Sequence, residues 1–317
     1  MFQHTKENKP SFLVPLDGSH LAESVLPTVE HLASRFRAKV ILLHVMEQHA
    51  PVTIHGERHL TGVAEAQTYL EEIATRLRFS AISVKTHVRE DREDNVARSI
   101  VEHAQKSKID LVIMCSHGRG GLRDFLFGSI AQQALRRGTQ SVLLVLPRDD
   151  CSAPTFDLRR ILVPLDGAVA HEPALPVAKT LAHAFSAEVQ LVVIIPTLAT
   201  LSGSQAVSGL LLPTTMKAVL DLAEQGASDY LEQAVVQCRA QGIPAQAKVL
   251  RGDAVAEVLH LAERLNVDLI VMASHGRVGL DAMLTGSVAP RITGRISRPL
   301  WLVRAGESTG ENNDERN

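Results

Sequence analysis

The sequence predicts an α/β fold: two similar doubly wound domains, each built on a five-stranded parallel sheet. Three observations predict it. The first is an internal duplication in a chain of 317 residues. Leu13-Val14-Pro15-Leu16-Asp17-Gly18 recurs as Leu162-Val163-Pro164-Leu165-Asp166-Gly167, and Asp110–Arg119 recurs as Asp268–Arg277. Between 116–131 and 274–289, ten of sixteen positions are identical, which is duplication rather than composition. A spacing near 150 residues is a repeated domain, far longer than a solenoid unit. The second observation is strand-like and helix-like segments in alternation, the pattern of parallel sheets with right-handed crossovers. The third is that the strand candidates are continuously apolar, as strands covered on both faces are.

Taken in order, Phe12–Leu16 is the first strand. Leu21, Val25, Leu26, Val29 and Leu32 recur at helical spacing, with Ser19 placed to cap that helix. Val40–Val45 is the second strand, Val63–Leu77 a helix, and Ile82–Val88 an alternating third strand. Val96–Ser107 is a helix, Leu111–Cys115 the fourth strand, Gly128–Arg137 a helix, and Val142–Leu146 the last strand. The second copy repeats this order and ends at Leu300–Val303. The offset between copies grows by nine residues from the first motif to the last. Pro196–Pro213, rich in Ser, Gly, Thr and Leu, is the natural place for them, read as a loop. The expected organisation is a first domain at 1–148, a linker at 149–157, a second domain at 158–305 and a disordered tail at 306–317.

Composition excludes several functions. Net charge is −2, and the parts on either side of residue 150 carry +1 and −3, so neither has the basic footprint of a nucleic-acid binder. Aromatic residues are 3% of the chain, too few for base-stacking platforms. Three cysteines make neither a disulfide framework nor a zinc knuckle. Reduced thiols and a polar start fit a cytoplasmic protein. No apolar run approaches the ~20 residues of a membrane span. His44, His49, His55 and His59 lie about one loop, where solvated histidines are a better reading than a metal site.

The chemistry falls on strand ends, where open α/β sheets bind ligands. Asp17 and Asp166 follow the first strand of each copy. Each is a turn or cap residue, or else a carboxylate for ribose hydroxyls. After the fourth strand, nine residues separate Gly118 from Gly128-Ser129, and nine separate Gly276 from Gly286-Ser287. Glycines admit close backbone approach, and Gly-Ser opens a helix whose N–H groups suit an anion. The repetition of this spacing favours phosphate binding over simple turns. No lysine precedes either serine, so this is not a P-loop.

These motifs resemble the universal stress protein family in its tandem form: Val-Pro-Leu-Asp-Gly at the first strand, and Gly-x-x-Gly, nine residues, Gly-Ser near the fourth. The resemblance covers both repeats. It implies the adenine nucleotide α-hydrolase-like, Rossmann-like fold and an ATP or AMP in each domain, with or without Mg2+. Carried over by position, Pro15 and Met114 line the base slot, Asp17 holds ribose and the backbone of Val45 meets adenine. Cys115 stands at the motif's first glycine, while Gly118, Gly128, Ser129 and Ile130 hold phosphates. In the second copy the set is Pro164, Asp166, Ile194, Met272, Ala273, Gly276, Gly286, Ser287 and Val288. Cys115 and Ala273 depart from the family glycine and are expected to crowd the nucleotide, Cys115 the more.

The resemblance further implies pairing through the last strands of two domains. Within one chain that is an intramolecular pseudo-dimer, with a homodimer of whole chains left open. The expected activity is nucleotide-dependent domain packing or partner binding in the stress response, with little or no turnover. Two alternatives stand beside it: a nucleotide-free dimerisation scaffold, and a weak ATP-hydrolysing or AMP-transferring enzyme.

Overall fold

A computed structural model describes residues 9–49, 53–54, 57–91, 95–116, 133, 138–147, 156–166, 173–201, 203–274, 288–293 and 295–304. The first half runs β1 (Ser11–Pro15), α1 (His20–Glu23), α2 (Leu26–Phe36), β2 (Lys39–Glu47), a short hairpin of β3 (Thr53–Ile54) and β4 (Glu57–Arg58), α3 (Val63–Phe79), β5 (Ser83–Asp91), α4 (Val96–Lys106), β6 (Leu111–Cys115) and β7 (Ser141–Val145). The second half runs β8 (Arg160–Leu165), α5 (Ala174–Phe185), β9 (Glu188–Ile195), α6 (Gly203–Leu211), α7 (Pro213–Ala240), β10 (Ala245–Arg251), α8 (Ala254–Arg264), β11 (Leu269–Ser274), α9 (Val288–Thr293) and β12 (Leu300–Arg304). The main elements arise where apolar periodicity places them. Two differences have physical causes. The single helix expected after β1 is two helices, because Pro27 sits in the first turn of α2 and Val25 forms its N-cap without a side-chain bond. The segment Pro196–Pro213, expected to be a loop, contains the helix α6.

All main strands join one ten-stranded sheet in the order β10-β9-β8-β11-β12-β7-β6-β1-β2-β5. Within each half the strands are parallel. The halves meet where β12 runs antiparallel to β7, pairing Leu300 with Leu144, Trp301 with Leu143 and Leu302 with Val142. These six side chains are all buried, so the seam is apolar on both faces.

Helices cover both faces of each half, and two layers of core follow. On one face Phe12, Val14, Val40 and Leu42 pack with Val29 and Leu32 of α2. On the other Leu13, Leu43 and Val112 pack with Ile100 and Ala104 of α4. A parallel strand thus sends alternate residues into two cores, and its uniform apolarity is explained. At the amino end of the strands one carboxylate per half fixes the start of the sheet. Asp110 Oδ2 accepts from the Ser11 amide at 2.8 Å. Asp268 Oδ2 accepts from the Arg159 and Arg160 amides, each at 2.8 Å. The repeated Asp before the fourth strand is therefore a structural clamp.

Candidate functional site

The strand order within the first half, β5-β2-β1-β6-β7, reverses direction between β1 and β6. That is the switch point where the loops leaving two neighbouring strands part to opposite faces and leave a crevice. The second half has the same switch between β8 and β11. The two crevices are built in the same register. Pro15 lies opposite Leu43 and Pro164 opposite Val192, so Val45 and Ile194 each stand two residues further along. Leu13 lies opposite Val112 and Leu162 opposite Ile270, so Met114 and Met272 each stand two residues beyond those partners. Val45 and Met114 are buried in the core that holds Leu13, and Met272 and Ile194 belong to the same layer in the second half.

Asp17 follows β1, where Ser19 engages it. Its Oδ1 accepts from the Ser19 amide at 2.9 Å and the Ser19 hydroxyl at 2.6 Å. Ser19 Oγ in turn accepts from the Ala22 amide at 3.1 Å, capping α1. The turn between them needs Gly18, whose φ is +93°, a backbone conformation that favours glycine. A Cβ there would lie 2.9 Å from the Leu60 side chain. Asp17 therefore performs the local turn role while its carboxylate stands at the strand end. In the second half the residue two past Asp166 is Ala168, so no hydroxyl can repeat that bond, and Asp166 is exposed.

Cys115 does not point where the sequence suggests. Its Sγ lies 3.4 Å from the donating Ser24 hydroxyl and 3.3 Å from the Ser116 carbonyl. It packs on the core beside α2, the face opposite Met114. Ala273 packs on that same layer. Alternation along the strand turns both side chains away from the side that Met114 and Met272 occupy. The expected crowding by Cys115 is thus directed at Ser24.

The expectation that the loop histidines are solvated fails for two of them, His44 and His59, which are buried beside the Asp17 turn. His44, 1% exposed, and His59, 2% exposed, have ring centroids 6.1 Å apart. His44 Nδ1 lies 2.8 Å from the Leu16 carbonyl, immediately before Asp17. His44 Nε2 and His59 Nδ1 have no hydrogen-bond partner among the described residues. Burial, and secondarily the charge of His59, hold His44 below the usual imidazole range. Burial first, then Glu23 and Asp17, push the Tyr69 phenol far up. His44 and Tyr69, both kept neutral, thus lie near Asp17 on the α2 face of the sheet. By strand register the counterpart of His44 is Val193, so the second half has no such pair. His59 belongs with a loop by sequence, and the return of that loop against His44 of β2 accompanies its burial.

Gly118, Gly128, Ser129, Ile130, Gly276, Gly286 and Ser287 lie outside the described residues, as do His55, His117, His275 and the tail 306–317. Val288 opens α9. Among the described residues no three His, Cys, Asp or Glu side chains form a metal-holding group. No described helix is long and apolar enough to cross a membrane.

Comparison with known proteins follows the duplication. The universal stress protein family model matches twice, at 10–145 and 157–304. A universal stress protein of Mycolicibacterium smegmatis is 27% identical over 316 residues, covering 92% of this chain and 96% of its own. A functionally unknown protein of Pseudomonas aeruginosa has the same fold at a TM-score of 0.66 and 16% identity, covering 93% of this chain and 92% of its own. A universal stress protein of Archaeoglobus fulgidus matches at 0.64 and 19% identity, covering 94% and 100%.

Proposed function

Since the chain belongs to the universal stress protein family, we propose that it is a tandem, cytoplasmic stress-response protein whose two domains, 1–148 and 158–305 joined by 149–157, each bind an adenine nucleotide. The ligand class is ATP or AMP, with or without Mg2+. One observation carries the reading: two switch-point crevices in one register, each bringing a proline, a methionine and a following carboxylate to the same end of its half-sheet. A site used once could be accidental, but a duplicated register keeps the same residues together twice.

The chemistry of these groups suits a nucleoside. Asp17 and Asp166 are acceptors for ribose hydroxyls. The backbone at Val45 and Ile194 supplies the polar edge for adenine. Pro15 with Met114, and Pro164 with Met272, form an aliphatic slot for a base in a chain with few aromatic rings. The phosphates fall to the Gly-Ser segments at 118–130 and 276–288, which carry no lysine before the serine. Phosphoryl transfer depends on positioned cations and a residue that orients the nucleophile. With no lysine before either serine and no residue assigned to orient a nucleophile, the expected behaviour is binding with little or no turnover, and a change of domain packing or partner choice on binding. Pairing of the two domains through β7 and β12 makes them an internal pseudo-dimer in this reading.

The test is direct. The purified chain is denatured and the released small molecules are identified, and fresh protein is incubated with ATP while products are followed. Released adenine nucleotide with no rapid turnover is expected. Saturating ATP at ~100 times Kd should stabilise the native state by about 2.7 kcal/mol per occupied domain, and the double variant Asp17→Ala/Asp166→Ala should lose that shift. Rapid stoichiometric turnover points to the enzyme instead. No released nucleotide and no shift at millimolar ATP point to a nucleotide-free scaffold.

A further inference from the structure

The second half carries an apolar surface, on the helices α6 and α7, that has no counterpart among the described residues of the first half. Val207, Leu210, Leu211, Leu212, Val219 and Leu222 are 57%, 84%, 74%, 60%, 53% and 74% exposed. Val207, Leu210 and Leu211 follow the 3- and 4-residue spacing of one helix face. The opposite side of α6 is Ala206 and Gly209. A Cβ at Gly209 would come within 2.8 Å of Leu201, so α6 lies close against the body of its domain. Along α7 the buried positions are Leu220, Ala227, Leu231, Ala234 and Cys238. Val219 and Leu222 project from the other side of that helix.

We propose that this face is the contact between two whole chains, joining α6–α7 of one to α6–α7 of its twin about a two-fold axis. Three observations select a second copy as the occupant. The first is area. The six exposures leave on the order of 700 Å2 of mainly apolar surface in water, close to the ~800 Å2 per partner of a standard-size interface. That exceeds the patch a soluble monomer ordinarily leaves open. The second is charge. No Asp, Glu, Lys or Arg occurs from 189 to 216, and beside Val219 and Leu222 the exposed Lys217 and Asp221 carry opposite signs, so the face has no net charge. A neutral surface offers nothing to an anionic membrane, a nucleic acid or a charged peptide, all of which are steered by charge. It is complementary to another neutral apolar surface, which a second copy supplies. The third is singularity. Among the described residues the face occurs once per chain, so a two-fold axis closes the contact at a dimer and leaves no copy to propagate it.

Sedimentation velocity on the full-length chain tests this from 1 to 100 μM. A dimer of chains is expected. Leu210→Glu/Leu211→Glu should weaken the dimer by about 100-fold or more, since each leucine is a central apolar anchor. Both positions are exposed, so circular dichroism and melting temperature should match wild type. Leu222→Glu, on the neighbouring helix, repeats the test independently of α6. A wild-type chain that stays monomeric at 100 μM overturns the proposal, as does a dimer untouched by both variants. Flotation with phosphatidylcholine vesicles that the double variant abolishes, in a monomeric wild type, reassigns the face to a lipid surface. Nucleotide release is unaffected in either case, so failure here is distinguishable from failure of the nucleotide reading.

Discussion

The seam between β7 and β12 is the place to test the ten-stranded sheet. Leu143 is fully buried and faces Trp301, itself 1% exposed, across the antiparallel pair. Directly opposed residues have Cβ atoms about 5 Å apart, so truncating one removes contacts from the other. Leu143→Ala deletes the equivalent of about three methylenes, worth ~2.4 kcal/mol in transfer free energy alone. The cavity left in a rigid sheet adds to that, giving about 3–4 kcal/mol. In a chain of this size the shift in melting temperature should be roughly 4–6 °C. Trp301 is the sole tryptophan, so its fluorescence reports this seam alone. Wild-type emission should be that of a dry indole. It should move towards the solvated value in Leu143→Ala as the seam loosens. Urea unfolding followed by Trp301 emission and by circular dichroism supplies the free energy. A loss below about 1 kcal/mol, or a wild-type Trp301 that emits as a solvated indole, would refute the paired seam.

Three further outcomes follow from the first crevice. Ser19→Ala removes the cap of α1 and the hydroxyl on Asp17, and should cost about 1 kcal/mol by urea unfolding. His44 is held neutral by burial, so its folded pKa lies below its unfolded value. Its contribution is complete above the unfolded pKa, and is lost as pH falls towards the folded one because only the unfolded chain takes up the proton. Unfolding free energies should therefore drop more steeply below pH ~6.5 in wild type than in His44→Leu; parallel curves would contradict the buried neutral ring. Cys115→Ala should leave nucleotide affinity within about threefold by calorimetry, because the thiol is turned to Ser24. A tenfold gain would restore the crowding argument.

Most of the architecture was legible because two signals are local. Continuous apolar runs marked the strands, and 3–4 spacing marked the helices between them. The duplication did the rest, since one half checked the other. What was not legible depends on contacts distant in sequence. The break between α1 and α2 follows from Pro27, which by itself is compatible with a continuous first turn. The helix α6 was hidden by Ser, Gly and Thr in a segment whose order comes from packing on Leu201 and Met216. The direction of Cys115 could have been read by counting alternate residues from Phe12 and Leu111. The burial of His59 could not, because it needs the loop to return against His44 of β2.

The antiparallel join at Leu143 and Trp301 has a geometric result for traffic. Each half-sheet runs in its own direction, so the carboxyl ends of β1 and β8 point to opposite edges of the molecule. Five strand spacings separate them, roughly 24 Å across the sheet. A single nucleotide-sized ligand cannot span both crevices. Any influence of one on the other must cross the rigid middle of the sheet, through β6, β7, β12 and β11. Two crevices facing away from each other, tied back to back by a buried tryptophan, would each meet a ligand separately under the proposed function.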